Sequence, residues 1–327
     1  MSFDEWGGSL PLETNVARMP LFGSMPYASF DSGRSAIYAA LLNLGKDEVW
    51  LPAYLCPTVG DFLRRFGVEV HEYHIDDDFL PIEDGIPKGS ALVWTNWFGS
   101  MRDDVKREVV ERHAPNLVID DCHALFEPPV HGVQNVYSCR KFLGVPEGAF
   151  LVADDIVASF DGWETDERPF YDHLRKALRS GSDSAYDLYQ ENSARFAEMH
   201  RLLDPVVEAT LSGFDYDAIR RKRSRNLEVL RGAFGDRIPE GIDPSASDPI
   251  WFPLYVEDDG LRQRLVESRV FVPRLWKRVL AMDDATPNER RLANHLFPLP
   301  LDQRYEPSDM EAMADKVEGL VNAREAV

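Results

Sequence analysis

Val136-Tyr-Ser-Cys-Arg-Lys-Phe-Leu-Gly-Val-Pro-Glu-Gly-Ala-Phe-Leu-Val152 reads as a strand, a loop carrying a lysine, a Pro/Gly turn and a second strand. Just upstream, Leu117-Val-Ile-Asp120 reads as another strand and ends in Asp120-Asp121-Cys122-His123. Outward from these stretches, helical and β-branched runs alternate. A helix over 34–45 precedes a strand at 48–52, a helix at 58–66 and strands at 68–74 and 90–97. A helix at 102–113 and strands at 116–120, 133–138 and 148–153 follow. Such alternation predicts a mainly parallel sheet flanked by helices, with function at the carboxyl ends of the strands. Residues 160–235 carry charged, periodic segments and almost no strand signal, so they are expected to be helical. After the turn-rich stretch Pro239–Pro249 come a strand (Ile250–Val256), a helix (258–268), a short strand (270–273) and a terminal helix (307–323), a smaller α+β lobe. The expected division is an N-terminal arm over 1–30, a large domain with a helical extension over 31–210, and a small C-terminal domain over 211–327.

Composition narrows the function classes. A hydrophobic share of 44% and a charged share of 28% are ordinary for a globular protein. The formal net charge of -20 argues against nonspecific binding to nucleic acid or to an anionic membrane. Any phosphate must therefore be held by local NH groups and arginines. Three cysteines, Cys56, Cys122 and Cys139, are too few for a disulfide framework, which points to a reducing compartment. The acidic start, Met1-Ser-Phe-Asp-Glu-Trp, has no apolar stretch and reads as no signal peptide. No window approaches the roughly 18 apolar residues of a membrane span. The expectation is a cytoplasmic protein.

A strand-end acid followed by a lysine in a loop is the layout a pyridoxal phosphate site needs. The lysine forms a Schiff base, and the carboxylate keeps the pyridine nitrogen protonated so that the ring can draw electrons. Asp120 and Lys141 are the candidates, with His123 placed beside the ring or its phenolic oxygen. The acids could equally cap a helix, and a metal site from Asp120, Cys122, His123, His131 and Cys139 would match no standard zinc spacing. Lys141 is one of eight lysines among 36 basic residues, and its flanks are more apolar than those of a solvated loop. Desolvation beside Arg140 would lower its pKa, as an amine nucleophile needs. Ser138-Cys-Arg-Lys141 also spells Ser-x-x-Lys, but the accompanying Ser-Asp-Asn and Lys-Thr-Gly elements are absent.

Ser32-Gly33-Arg34-Ser35 opens a helix, where free NH groups at the positive end of the helix dipole make a phosphate site. Ser35 would add a hydroxyl and Arg34 a charge; the plainer reading is an N-cap by Ser32 or Ser35. Trp94-Thr-Asn-Trp-Phe98 ends a strand and is either core or the wall of a ring pocket. Arg220-Arg-Lys-Arg-Ser-Arg-Asn226 reads as a solvated helix face. No Gly-x-Gly-x-x-Gly, His-Glu-x-x-His or Gly-x-Ser-x-Gly is present.

In this order the segments resemble the fold type I pyridoxal phosphate enzymes, most closely the DegT/DnrJ/EryC1/StrS sugar aminotransferases. Ser32–Gly45 resembles that family's phosphate-binding helix start, and Glu48-Val-Trp-Leu-Pro-Ala-Tyr54 its Asp-Glu-Val-Ile-Val-Pro strand. Val118-Ile-Asp-Asp-Cys-His123 resembles the segment supplying the pyridine carboxylate, and Ser138-Cys-Arg-Lys-Phe-Leu143 the Schiff-base loop. Placing Asp120 at the pyridine nitrogen puts His123 where the family has His or Gln; the Glu-Asp pattern of the family would instead select Asp121. The family's Gly-Gly after the loop is Gly148-Ala149 here, and the chain is shorter than most members.

The resemblance implies fold type I, with a large domain built on a mainly parallel mixed sheet and a smaller α+β C-terminal domain. It implies a homodimer with pyridoxal 5'-phosphate on Lys141, its phosphate held by Ser32, Gly33, Arg34, Ser35 and Ser138. It also implies an amino donor such as glutamate and a nucleotide-linked keto-sugar as acceptor. Asp-Asp-Cys-His also resembles the α-oxoamine synthases, which condense an amino acid with an acyl-CoA, and a non-catalytic binding role is the third reading. Arg274, in Val272-Pro-Arg-Leu-Trp276, is the candidate for a substrate carboxylate.

Overall fold

The computed structural model describes residues 19–166, 168–243 and 248–323. Most of the expected N-terminal arm, residues 1–18, and the centre of the Pro239–Pro249 turn lie outside them. The main sheet has seven strands: β1 (Tyr27–Phe30), β2 (Glu48–Pro52), β3 (Glu69–Tyr73), β4 (Leu92–Thr95), β5 (Leu117–Asp121), β6 (Gln134–Ser138) and β7 (Ala149–Val152). Their order is β1-β7-β6-β5-β4-β2-β3. Strands β3, β2, β4, β5 and β6 run parallel, and β7 and β1 close the sheet antiparallel to their neighbours. Strand β1 falls within the stretch expected to be an arm; Phe30 and Tyr27 anchor it against opposite faces of the sheet.

Strands β4 and β5 are buried along their whole length. Burial on both faces is why they read as continuous apolar runs rather than alternating ones. Side chains of a strand alternate faces, and here the alternation sorts two cores. Val93, Val118 and Val136 pack with α1 (Gly33–Leu44) and α2 (Pro57–Arg65), whereas Leu92, Trp94, Leu117 and Ile119 pack on the opposite face with α3 (Asp103–His113). Helix α1 stops at Gly45, a left-handed cap at φ 66° whose N–H returns to Leu41 and Leu42 carbonyls.

Four helices, α4 (Asp172–Ser180), α5 (Tyr186–Arg195), α6 (Pro205–Ser212) and α7 (Tyr216–Phe234), fill the predicted helical stretch. A second, two-stranded sheet pairs β8 (Trp251–Tyr255) antiparallel with β9 (Leu296–Pro300). It shares a core with α7, α8 (Leu261–Glu267) and α10 (Pro307–Asn322), while α9 (Pro287–His295) leads into β9. The strand expected over 270–273 does not form. Val270 and Val272 are buried in that core, but β8 takes β9 as its partner and Pro273 has no N–H to give a ladder.

Candidate active site

Strands β4, β5 and β6 end side by side at Thr95, Asp121 and Ser138. Asp120 lies in register with Thr95 on one side and Val136 on the other. By strand parity Thr95, Asp120 and Ser138 face α1, and there they line one cavity of about 430 Å³, within the usual small-molecule range of about 300–1,000 Å³. The N-terminus of α1 closes it from the side through Ser32, Gly33 and Arg34. His123, Lys141, Arg140 and Trp276 complete the wall facing α5. A groove of about 1200 Å³ beside α10 is larger, but its arginines are already paired, Arg269 with Asp183 and Arg304 with Asp302.

Ser32 caps α1, its hydroxyl accepting from the Ser35 N–H at 3.3 Å. The first NH groups of the helix are thereby aimed at the cavity. Gly33 is required at this point, because a Cβ there would stand 2.7 Å from the Cys122 sulfur at the end of β5. Gly33→Ala should therefore cost about 1–3 kcal/mol through overpacking. Thermal unfolding should show a lowered midpoint, largely restored in the Gly33→Ala/Cys122→Ala pair; an unchanged midpoint would show that the close approach is unimportant. Ser35, expected on the phosphate, turns inward instead. It is fully buried, and its hydroxyl donates to Asp31 at 2.6 Å, since the third helical residue points back along the helix. Burial pushes the Asp31 carboxyl up to about 6.

Asp120 and Asp121 point to opposite faces. Asp120 is on the cavity wall and accepts from the Cys122 N–H at 3.1 Å. Asp121 accepts from the Asn96 side chain at 2.9 Å on the far face, and burial pushes its carboxyl up to about 8. His123 is buried against Trp276, the two rings 5.7 Å apart and within 20° of parallel. Burial, reinforced by Lys141, holds its imidazole well below the ordinary range, so it is neutral at pH 7. A Cβ on Gly99, at φ 73°, would lie 2.1 Å from the His123 carbonyl oxygen, so this turn too accepts only glycine.

Lys141 ends a one-turn 3-10 helix, Cys139–Lys141, and is exposed, against the desolvated setting expected from its flanks. Those flanks are apolar because Tyr137, Cys139, Phe142 and Leu143 turn into the core behind the loop, leaving the amine outside. The loop is held from the second lobe. Arg223 lies over the Phe142 ring at 4.7 Å, and Gln303 donates to the Phe142 carbonyl at 2.7 Å. Arg223 is thus buried, not part of a solvated face, and also donates to the Pro249 and Ile250 carbonyls. Arg274 is exposed and bound to the Ala293 carbonyl and Asn294, away from the cavity. Trp94, Trp97 and Phe98 are core, and the aromatic wall is Trp276, at φ 46°.

Sequence reading missed Thr95, Arg140, Tyr189 and Trp276 as cavity residues. Among the described residues Arg34, Arg140 and Lys141 form no ion pair. Three cations outside any ion pair, a helix N-terminus and a buried Thr95 hydroxyl lacking a partner all face one cavity. That set fits a phosphorylated ligand, with Asp120 left to meet a cationic atom of the same molecule. Among the described residues no three His, Cys, Asp or Glu side chains come together as a metal site. No helix there is long and apolar enough to cross a membrane.

No family model and no curated protein matches the chain. Solved structures do. The sugar aminotransferase CalS13 from Micromonospora echinospora superposes with a TM-score of 0.64 at 17% identity, covering 90% of this chain and 87% of that one. The aminotransferase TlmJ from Streptoalloteichus hindustanus gives 0.65 at 16% identity, covering 91% and 86%. A DegT DnrJ EryC1 StrS aminotransferase from Brucella abortus gives 0.61 at 15% identity, covering 90% and 86%. At these identities the likeness is one of architecture, and the chain has the α/β fold of these aminotransferases.

Proposed function

We propose that the protein is a pyridoxal phosphate-dependent aminotransferase that passes an amino group from an amino acid, glutamate being the first choice, to a nucleotide-linked keto-sugar. The observation that carries this is the meeting of the Lys141 amine, the Asp120 carboxylate and the α1 N-terminus on one cavity wall. Fold neighbours described as sugar aminotransferases support the acceptor class. When bound, the cofactor supplies an electron sink that lets a proton leave and return at substrate carbon.

The chain's own residues account for the rest. The NH groups of Gly33 and Arg34, the Arg34 guanidinium and the Ser32 and Ser138 hydroxyls bind the phosphate and fix the ring's position. The Asp120 carboxylate holds a proton on the ring nitrogen. It already accepts the Cys122 N–H, which fixes the carboxylate's orientation toward the cavity. Neutral His123, backed by Trp276, packs against the ring without competing for that proton. The Lys141 amine would hold the cofactor, and as general base and acid it would move the proton at the substrate's carbon. Its place at an exposed loop end lets it swing without breaking core contacts.

An absorption spectrum of purified protein mixed with pyridoxal phosphate tests this. A bound-cofactor band that is lost on adding glutamate is expected. Protein that takes up no cofactor rules the reading out, and a cofactor unchanged by every amino donor leaves only a binding role.

A further inference from the structure

Arg140 directly precedes Lys141 on the same single turn of 3-10 helix, and both line the cavity. Its guanidinium is sandwiched between the Tyr189 and Phe196 rings, at 5.4 and 4.8 Å from their centroids. One terminal nitrogen donates to the Ser193 hydroxyl at 2.9 Å and to the Tyr189 hydroxyl at 3.4 Å. Those partners are neutral, and the remaining donors of the fork make no hydrogen bond among the described residues. Arg34, the arginine on the phosphate-binding helix, reaches the same residue, donating to the Ser193 carbonyl at 3.3 Å. Helix α5 therefore holds two guanidiniums near each other with no carboxylate between them. Other arginines that lack a carboxylate are tied to backbone carbonyls through several donors, as Arg223 is to Pro249 and Ile250 and Arg262 to Val272, Pro273 and Leu296. Neither guanidinium forms an ion pair among the described residues, so the cavity can take two anionic groups.

We propose that Arg140 is the donor-specificity residue, holding the carboxylate of the incoming amino acid beside Lys141. This rests on the aminotransferase reading above. One anion is the cofactor phosphate, which the α1 N-terminus and Arg34 take. The second must lie close to the reacting amine, because Arg140 and Lys141 are consecutive residues. An α-amino acid meets that condition, since its carboxylate is bonded to the carbon that bears the nitrogen. The phosphates of a nucleotide-linked sugar do not, since the sugar ring separates them from the keto carbon. A planar fork with stacked rings on either side also suits a planar carboxylate, which it can grip through two parallel bonds. The aromatic clamp fixes the guanidinium before the donor binds, so little rotamer freedom is lost on binding.

The test uses the full chain loaded with pyridoxal phosphate and, as probe, whichever of the twenty proteinogenic amino acids converts the bound cofactor fastest. Conversion is followed by absorbance in the parent, Arg140→Met, Arg140→Lys and Arg34→Met. In Arg140→Met the half-saturating donor concentration should rise about ten- to hundredfold, the equivalent of one lost charge-assisted pair. That rise should exceed the fall in maximal rate, and the cofactor dissociation constant should move less than in Arg34→Met. Arg140→Lys, which keeps the charge but loses the fork, should fall between and guards against a folding defect in the methionine variant. An unchanged half-saturating concentration in both variants overturns the assignment. So does cofactor loss as large as in Arg34→Met, which would place Arg140 in the phosphate cradle. If the parent converts its cofactor and Arg140→Met does so with unaltered saturation, only this inference falls. A parent that binds no cofactor, or converts it with none of the twenty, removes the aminotransferase reading and this inference together.

Discussion

Lys141→Ala is expected to abolish turnover while leaving the fold intact. Loss of a positioned proton carrier alone removes about 10²–10⁴-fold in rate, and under the proposed function the same amine would also anchor the cofactor. Neither the cavity's histidine nor the lysines held elsewhere in the fold can take its place. His123 is buried and held neutral, and its ring is stacked on Trp276 rather than free to approach a substrate. Lys106 is buried and paired with Glu127 on the far side of the sheet. Lys46 and Lys316 donate to the Gly89 and Ser268 carbonyls, far from the site in the fold. Because Lys141 is exposed and its backbone is fixed by the buried residues around it, truncation should leave the unfolding midpoint within a degree or so. The measurement is single-turnover conversion of bound cofactor, with the midpoint as control. A Lys141→Ala enzyme retaining a tenth of the parent rate would remove this residue from the chemistry. Partial recovery with added methylamine would show that the missing element is the amine itself.

Why Lys141 and Asp120 could be read from the chain, while much of their surroundings could not, follows from how local each signal is. A strand end, a Pro/Gly turn and a helix cap are written in consecutive residues. Parity is local too: in Val118-Ile-Asp-Asp121 only one of the two acids can share a face with Val118 and hence with α1. Thr95, Tyr189 and Trp276 come to the cavity from elsewhere in the chain, and nothing in their own segments marks them. Arg140 was visible only as a neighbour of the lysine. The flanks of Lys141 misled for a physical reason, since apolar residues beside a loop lysine report on the core beneath the loop and not on the amine. Strand β9 was hidden by its two prolines, Pro298 and Pro300. In a two-stranded sheet both strands are edges, and Pro298 sits opposite Pro253 in register, so missing N–H groups face each other. Helix α9 was also not expected, although Thr286-Pro-Asn-Glu289 spells a helix start. The structure makes it a full capping box: the Thr286 hydroxyl accepts from the Glu289 N–H, and Glu289 accepts from the Thr286 N–H.

Asp120→Asn and Asp121→Asn should differ sharply, although the residues are adjacent and both are buried. Asp120 faces the cavity, where its charge is the only carboxylate among the wall residues. Under the proposed function, replacing it with an amide would leave a cationic ring nitrogen without its partner. Breaking a buried charge pair on one side costs about 3–5 kcal/mol, which as a barrier is roughly 10²–10⁴-fold in rate. The larger part should fall on turnover rather than on cofactor affinity, because the phosphate cradle is untouched.

Asp121 lies across the sheet, bonded to Asn96, and burial pushes it up to about 8, so at neutral pH it is already uncharged. Its amide variant is nearly isosteric with that neutral acid, and turnover should fall by less than about tenfold, the most that losing one neutral hydrogen bond's worth of about 1.4 kcal/mol allows. Asp121 should instead show itself in stability. The folded state keeps a proton that the unfolded chain gives up near 3.8, so stability from this group is greatest at low pH. It declines as pH rises from about 4 to about 8 and is flat beyond. Asp121→Asn should flatten that decline between pH 5 and 8, read as the denaturant midpoint across pH, whereas Asp120→Asn should leave it in place. Should Asp121→Asn be the variant that stops turnover, the ring nitrogen's partner lies on the other face of β5, and the cavity lined by Ser32, Arg34 and Lys141 is not where the cofactor sits.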